Sequence, residues 1–205
     1  MIHWLTGRML AGCLGAGIVC ALAGCGQPAT APTVFTVCNS LKGTFQNEFP
    51  DGWEISQGGK TGMAPEWCKA TLGSAEIKVS ADLTGSLLGD ISQAGQNMLG
   101  EFAPEGPEDE PVAELHEMGR EAIEKVLNSY QEVGGTEVIS CQLGPARKSE
   151  FTAAGAFGGA LHGYRVTVLG RDKRVVMICR CAESDWATLQ PAFDRVLASL
   201  QPDKR

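Results

Sequence analysis

The sequence predicts an α+β fold, an antiparallel β-sheet flanked by helices. Two observations carry this. Apolar and polar residues alternate with period two over Ala75–Leu83 and again in segments between Glu137 and Ala182, as half-buried antiparallel strands require. Apolar residues recur at helical spacing both ahead of those late segments and behind them. The order is strands, two helices, a strand meander and a closing helix.

The elements begin with a leader. Leu-Ala-Gly-Cys is spelled twice, at residues 10–13 and 22–25. Arg8 is followed by a stretch, Met9 to Gly24, without any charge, which is the layout of a signal peptide. Behind Cys13 only Met9–Gly12 would serve as the apolar region, far short of the roughly 7 to 15 residues needed. The second copy has enough behind it. Leu22-Ala23-Gly24-Cys25 in this setting resembles the lipobox of bacterial lipoproteins, in which a peptidase cuts before a cysteine already carrying diacylglycerol. The resemblance implies a leader over 1–24 and lipidation at Cys25, with acyl chains such as palmitate anchoring the mature chain at about 0.8 kcal/mol per buried methylene. Gly26, where inner-membrane lipoproteins tend to carry Asp, implies the periplasmic face of the outer membrane in a host with two membranes. A spanning helix is disfavoured, because about 20 apolar residues with stop-transfer flanks would be needed. Gly26–Thr33 holds two prolines and no charge and reads, with Cys25, as a flexible tether over 25–33 ahead of a single domain over 34–205.

Within that domain, Val34–Cys38 has strand-like alternation and is followed by FPDGWEI at 49–55. Ala75–Leu83 sets Ile77, Val79, Ala81 and Leu83 on one face, against Glu76, Lys78, Ser80 and Asp82. A first helix is expected through Leu87, Leu88, Ile91, Ala94, Met98, Leu99 and Phe102. A second is expected through Val112, Leu115, Met118, Ala122, Val126 and Tyr130, ended by Gly134-Gly135. The acidic, proline-rich stretch 101–111 between them lacks the spacing of a calcium loop. Acids before Pro111 suit a helix N-terminus. Strands are expected over Glu137–Leu143, Ser149–Phe157, Leu161–Leu169 and Arg174–Ala182. A last helix from Ser184 to Leu200 carries Trp186, Leu189, Phe193, Val196 and Leu200.

FPDGWEI, the late meander HGYRVTVLGRDKRVVMICR and the closing AFDRVLASL together resemble the PsbP-like family, over Val34–Leu200. That family includes extrinsic photosystem proteins, Ran-binding Mog proteins and many bacterial lipoproteins. The resemblance implies an αβα sandwich that serves mostly as a binding or assembly module, with no shared catalytic site to carry across.

Charge narrows the functions further. The chain has 17 basic and 24 acidic residues, net −7, and loses one more positive charge with the leader. Nucleic-acid binding needs clustered cations, and only Arg171, Lys173 and Arg174 approach that, in an expected turn. Gly59-Lys60-Thr61 imitates the end of a phosphate-binding loop. The glycine that loop needs five residues earlier is Glu54, a negative charge where phosphates would sit. No nucleotide, cofactor or metal is therefore expected.

One pairing could carry chemistry. A turn at Gly170–Lys173 pairs Leu169 with Arg174, and hence Val168 with Val175, Val166 with Met177, Tyr164 with Cys179 and His162 with Cys181, the last four pairs on one face. An imidazole beside a thiol can activate a nucleophile or supply soft metal ligands, yet the same pattern is that of any core-facing hairpin. Trp53, Trp67 and Trp186 could line a cleft but are expected as core anchors. Beyond Cys25, the cysteines Cys38, Cys68, Cys141, Cys179 and Cys181 are odd in number, so at least one stays unpaired or pairs elsewhere. Cys141 could reach Cys179 or Cys181 if their strands are neighbours. The leading expectation is a membrane-anchored, non-enzymatic binding or assembly module with an envelope protein partner. The alternative is an exported thiol-dependent hydrolase or redox protein using Cys181 and His162.

Overall fold

Alternation over 75–83 becomes a strand with the expected bounds, and the pairing expected around Gly170 is the pairing found. The computed structural model describes residues 29–62, 64–83, 111–155, 158–170 and 173–204. The expected leader over 1–24, the Leu22–Cys25 motif, the expected helix over 87–102 and most of the acidic stretch 101–111 lie outside the described residues.

Strands β1 (Phe35–Asn39) and β2 (Gln46–Pro50) pair as a small antiparallel sheet. The main sheet is built from β3 (Glu54–Gly58), β4 (Glu66–Leu72), β5 (Ala75–Leu83), β6 (Asn128–Cys141), β7 (Gly144–Ala154), β8 (Ala160–Leu169) and β9 (Lys173–Ala182). It is antiparallel throughout, in the order β3-β4-β5-β9-β8-β7-β6. Helix α1 (Pro111–Glu124) covers β6, β7 and β8 on one face. Helix α2 (Trp186–Ala198), entered through a 3-10 turn at Glu183–Asp185, lies with β2 on the other face. The result is an α+β sandwich, as the sequence predicts.

The larger core fills the α2 side. Ile77, Val79 and Ala81 of β5 meet Cys179, Met177 and Val175 of β9 in register, and Tyr164, Val166 and Val168 continue the layer on β8. Phe193 of α2 closes it, fully buried, with its ring edge-on to Trp53 and Tyr164, centroids 6.4 Å away in each case. On the α1 side a smaller cluster joins Ile123 and Leu127 to Phe151 and Ala153.

The second helix stops earlier than its periodicity suggests. The N–H groups of Val126 and Leu127 both donate to the Ile123 carbonyl, 2.9 Å each, which closes α1. The following residues pair with β7 instead. Tyr130 is therefore a strand residue, and Val126 and Met118 are exposed. Gly134-Gly135, expected to end a helix, sits where the β6–β7 register shifts between Val133 and Glu137, and Gly134 takes φ 76°. Such a bulge on an outer strand twists the edge and limits further pairing.

Candidate functional site

His162 and Cys181 are register partners at one end of the β8–β9 hairpin, on the α2 face. In His162 the partners of the ring nitrogens are carboxylates. Its Nε2 lies 2.7 Å from Glu150 Oε1, brought by β7, and its Nδ1 lies 3.0 Å from Glu183 Oε2, brought by the turn after β9. The ring stacks on Trp186 at 4.1 Å with planes 8° apart. Cys181 is fully buried. Burial, with Asp185 and Glu183 adding negative charge nearby, pushes its thiol up to about 12. A nucleophilic thiol needs a lowered pKa and a free base. Here the thiol is held protonated and both ring nitrogens are taken by carboxylates, so the arrangement ties β7, β8 and the entry to α2 together rather than activating sulfur. Among the described residues, no three or more His, Cys, Asp or Glu side chains are disposed to hold a metal ion.

Of the remaining late cysteines, one is a core residue and the other, Cys141, is partly buried and packs against the core. Cys179 is fully buried, its thiol raised well above the ordinary value by that burial. Cys141 is not a neighbour of Cys179 or Cys181, because β7 and β8 lie between its strand and β9. Strands are about 4.8 Å apart, so three spacings exceed the roughly 7 Å limit between Cα atoms that a disulfide tolerates. Its sulfur instead lies 3.8 Å from the Leu200 carbonyl. Trp53 and Trp186 are core anchors, 7% and 8% exposed, whereas Trp67 lies half-buried across Gly58.

Two arrangements escaped the sequence reading. The first lies between α1 and the sheet. His116 is 2% exposed, with Nδ1 2.9 Å from the Thr167 hydroxyl and Nε2 2.9 Å from that of Ser149, which in turn lies 3.0 Å from Thr136 Oγ1. Beside it Arg165 donates to the His116 carbonyl and, through Nε at 2.8 Å, to Glu132, which also accepts from the Tyr130 hydroxyl at 2.8 Å. Burial, then the charge of Arg165, lowers His116 to about 4, with Glu132 opposing and Arg147 assisting. Burial raises the Glu132 carboxyl, but the bonds from Arg165 and Tyr130 outweigh it and the net direction is down. Ser149 beside His116 has the outline of a nucleophile and base. Yet Ser149 is 2% exposed, and a hydroxyl rather than a carboxylate orients the other ring nitrogen. The network satisfies buried polar groups beneath a helix. Its sequence signal is a histidine on the inward face of α1, together with Arg147, Ser149, Arg165 and Thr167 alternating with apolar residues on β7 and β8.

The second arrangement joins the small sheet to the large one. Gln57 Nε2 donates to Cys38 Sγ at 2.8 Å and lies 3.4 Å from Cys68 Sγ, and it also donates to the Asn39 carbonyl at 3.0 Å. Both sulfurs thus approach the same amide nitrogen. A surface cleft of about 630 Å³, lined by Val37, Leu41, Ile55, Gln57 and Lys60 among others, reaches Cys38, while Cys68 lies fully buried behind it.

No family model matches the chain, and no curated protein matches it in sequence. Solved structures do. Cyanobacterial PsbP (CyanoP) from Synechocystis sp. PCC 6803 is similar at a TM-score of 0.50 and 14% identity, over 88% of this chain and 98% of that one. PA94 from Pseudomonas aeruginosa, a protein of unknown function, is similar at 0.46 and 17%, over 83% and 98%. LpqN of Mycobacterium tuberculosis, described as involved in cell envelope biogenesis, is similar at 0.41 and 14%, over 82% and 90%. The likeness to CyanoP is one of fold, and the fold is PsbP-like.

Proposed function

We propose that the chain is a lipid-anchored, non-enzymatic module of the cell envelope that binds or helps assemble a protein partner at a membrane surface. The observation that carries this reading is Leu22-Ala23-Gly24-Cys25 at the end of an uncharged apolar stretch. Lipidation at Cys25 would leave a short tether ahead of the first strand, Phe35–Asn39, whose neighbours Thr33 and Val34 are exposed. A protonated Cys181 and a carboxylate-bound His162 argue against the thiol-dependent alternative.

Labelled palmitate fed to cells making the protein should be incorporated into the wild type and into Cys13→Ala, and not into Cys25→Ala. Label retained by Cys25→Ala would place the anchor elsewhere. For the partner, cross-linking in intact cells followed by mass spectrometry should recover the same envelope protein with the wild type and lose it with Cys25→Ala; a chain that cross-links to nothing reproducibly counts against the assembly role.

A further inference from the structure

We propose that Cys38 and Cys68 form a disulfide, stapling the first strand of the folded unit to the main sheet. Cys38 belongs to β1 and Cys68 to β4, elements of two different sheets that the backbone pairing does not join. Their sulfurs nevertheless share one amide donor on Gln57, itself the register partner of Cys68 across β3–β4. Both cysteines are buried on the same side of the main sheet, in one core cluster with Phe45, Phe49 and Trp53. The other three described cysteines have no such mate. Cys141 faces a carbonyl, and Cys179 and Cys181 lie two residues apart on one strand.

The chemistry needs a first thiolate and a path to it. Cys38 is the one the cleft reaches, and the neighbouring Cys68 thiol, with Gln57 assisting, lowers its pKa against the opposing effect of burial. Cys38 in turn, with burial, raises Cys68. The cleft over Cys38 admits an oxidant of the disulfide class, and Lys60 on its wall favours an anionic one such as oxidised glutathione. The Cys38 thiolate attacks one sulfur of that disulfide and expels one thiolate. Cys68 then loses its proton and attacks Cys38 Sγ, expelling the second. Two electrons pass from the cysteines to the oxidant, and two thiols leave with the two protons. The cross-link in the cell rests on the export reading above, because exported compartments sustain disulfides.

Full-length protein in detergent is reduced, equilibrated with glutathione buffers of rising oxidised fraction, quenched in acid, alkylated and digested without reductant. A peptide joining Cys38 to Cys68 should appear before Cys141, Cys179 or Cys181 loses its thiol, and the thermal midpoint should rise with its yield. Alkylation of both Cys38 and Cys68 at the most oxidising ratio, or a bridge to a different cysteine, overturns the proposal. In Cys68→Ser, glutathione should stay on Cys38 as a mixed disulfide and the midpoint should cease to rise with oxidant; should that variant not fold, the wild-type titration alone decides. Chains taken directly from cells separate the two readings. A chain acylated at Cys25 but recovered with both thiols free overturns the cross-link and not the anchor, and a cross-linked chain without an acyl group does the reverse.

Discussion

His116 is kept neutral by where it sits: burial between α1 and the sheet and the nearby Arg165 lower it to about 4 from an ordinary 6.5. A neutral ring offers one donor and one acceptor, and hydroxyls such as those of Thr167 and Ser149 can match either. Between those two pKa values the unfolded chain takes up a proton that the folded chain refuses, so stability falls as pH drops from about 6.5 and the loss is complete near 4, at about 3 kcal/mol in all. Glu132, whose folded pKa is lowered, adds stability that is present above its unfolded pKa and is lost as pH falls. Urea unfolding at pH 7 and pH 4.5 should show a smaller acid-induced drop for His116→Gln than for wild type. Equal drops would mean that carboxylates alone govern acid sensitivity.

At the scale of elements, two strands admit a bulky neighbour by giving up their own side chain. In β8, a Cβ on Gly163 would come within 2.1 Å of the Cys179 carbonyl oxygen and 2.9 Å of the Phe151 ring, and Phe151 is its cross-strand partner. Trp67 lies across Gly58 in the same manner on the β3–β4 pair. Gly163→Ala should cost on the order of 1–3 kcal/mol, as overpacking does, read as a lowered urea midpoint with unchanged slope; a midpoint equal to wild type would show that β8 has room. The sequence revealed strands where both neighbours are strands and one face is core: β5, β8 and β9 carry clean alternation, and the β8–β9 register followed from one turn. It did not reveal β3, a five-residue strand at the sheet edge, or β4, whose inward positions are Glu66, Cys68 and Ala70 while the large Trp67 lies on the other face. Nor did it reveal the start of β6, where Val126 and Tyr130 fall four apart and prolong the helical spacing of α1 by coincidence. As an outer strand β6 is exposed along most of its length on both faces, so it shows little alternation to correct that reading. The site was legible to the same depth. His162 and Cys181 followed from one hairpin, whereas Glu150 requires the register of a further strand, and Cys38 beside Cys68 requires knowing how two separate sheets dock.

At the scale of the whole molecule, the described strands of the main sheet form two runs of consecutive hairpins, β3-β4-β5 and β6-β7-β8-β9, joined where β5 pairs with β9. That junction is specified on both faces. Ile77, Val79 and Ala81 meet apolar or thiol partners on one, while Asp82 with Arg174 at 3.2 Å and Glu76 with Arg180 at 3.1 Å bracket the other. Opposite charges set directly across strands favour this register over a slip. Because a polypeptide is made from its N-terminus, β5 exists long before β9 does. During that interval the inner edge of β5 is an unpaired strand with an apolar face, the kind of edge on which chains add to one another. A nascent chain arrested after Leu169 should therefore sediment as aggregate or remain bound to a holding chaperone, while one that includes Lys173–Leu200 should be released as monomer. Equal solubility of the two would show that the early strands protect their own edge. Timing thus falls on the segments that follow β8: β9 fills the gap in the sheet and α2 covers it, so their arrival turns two waiting halves into one folded body.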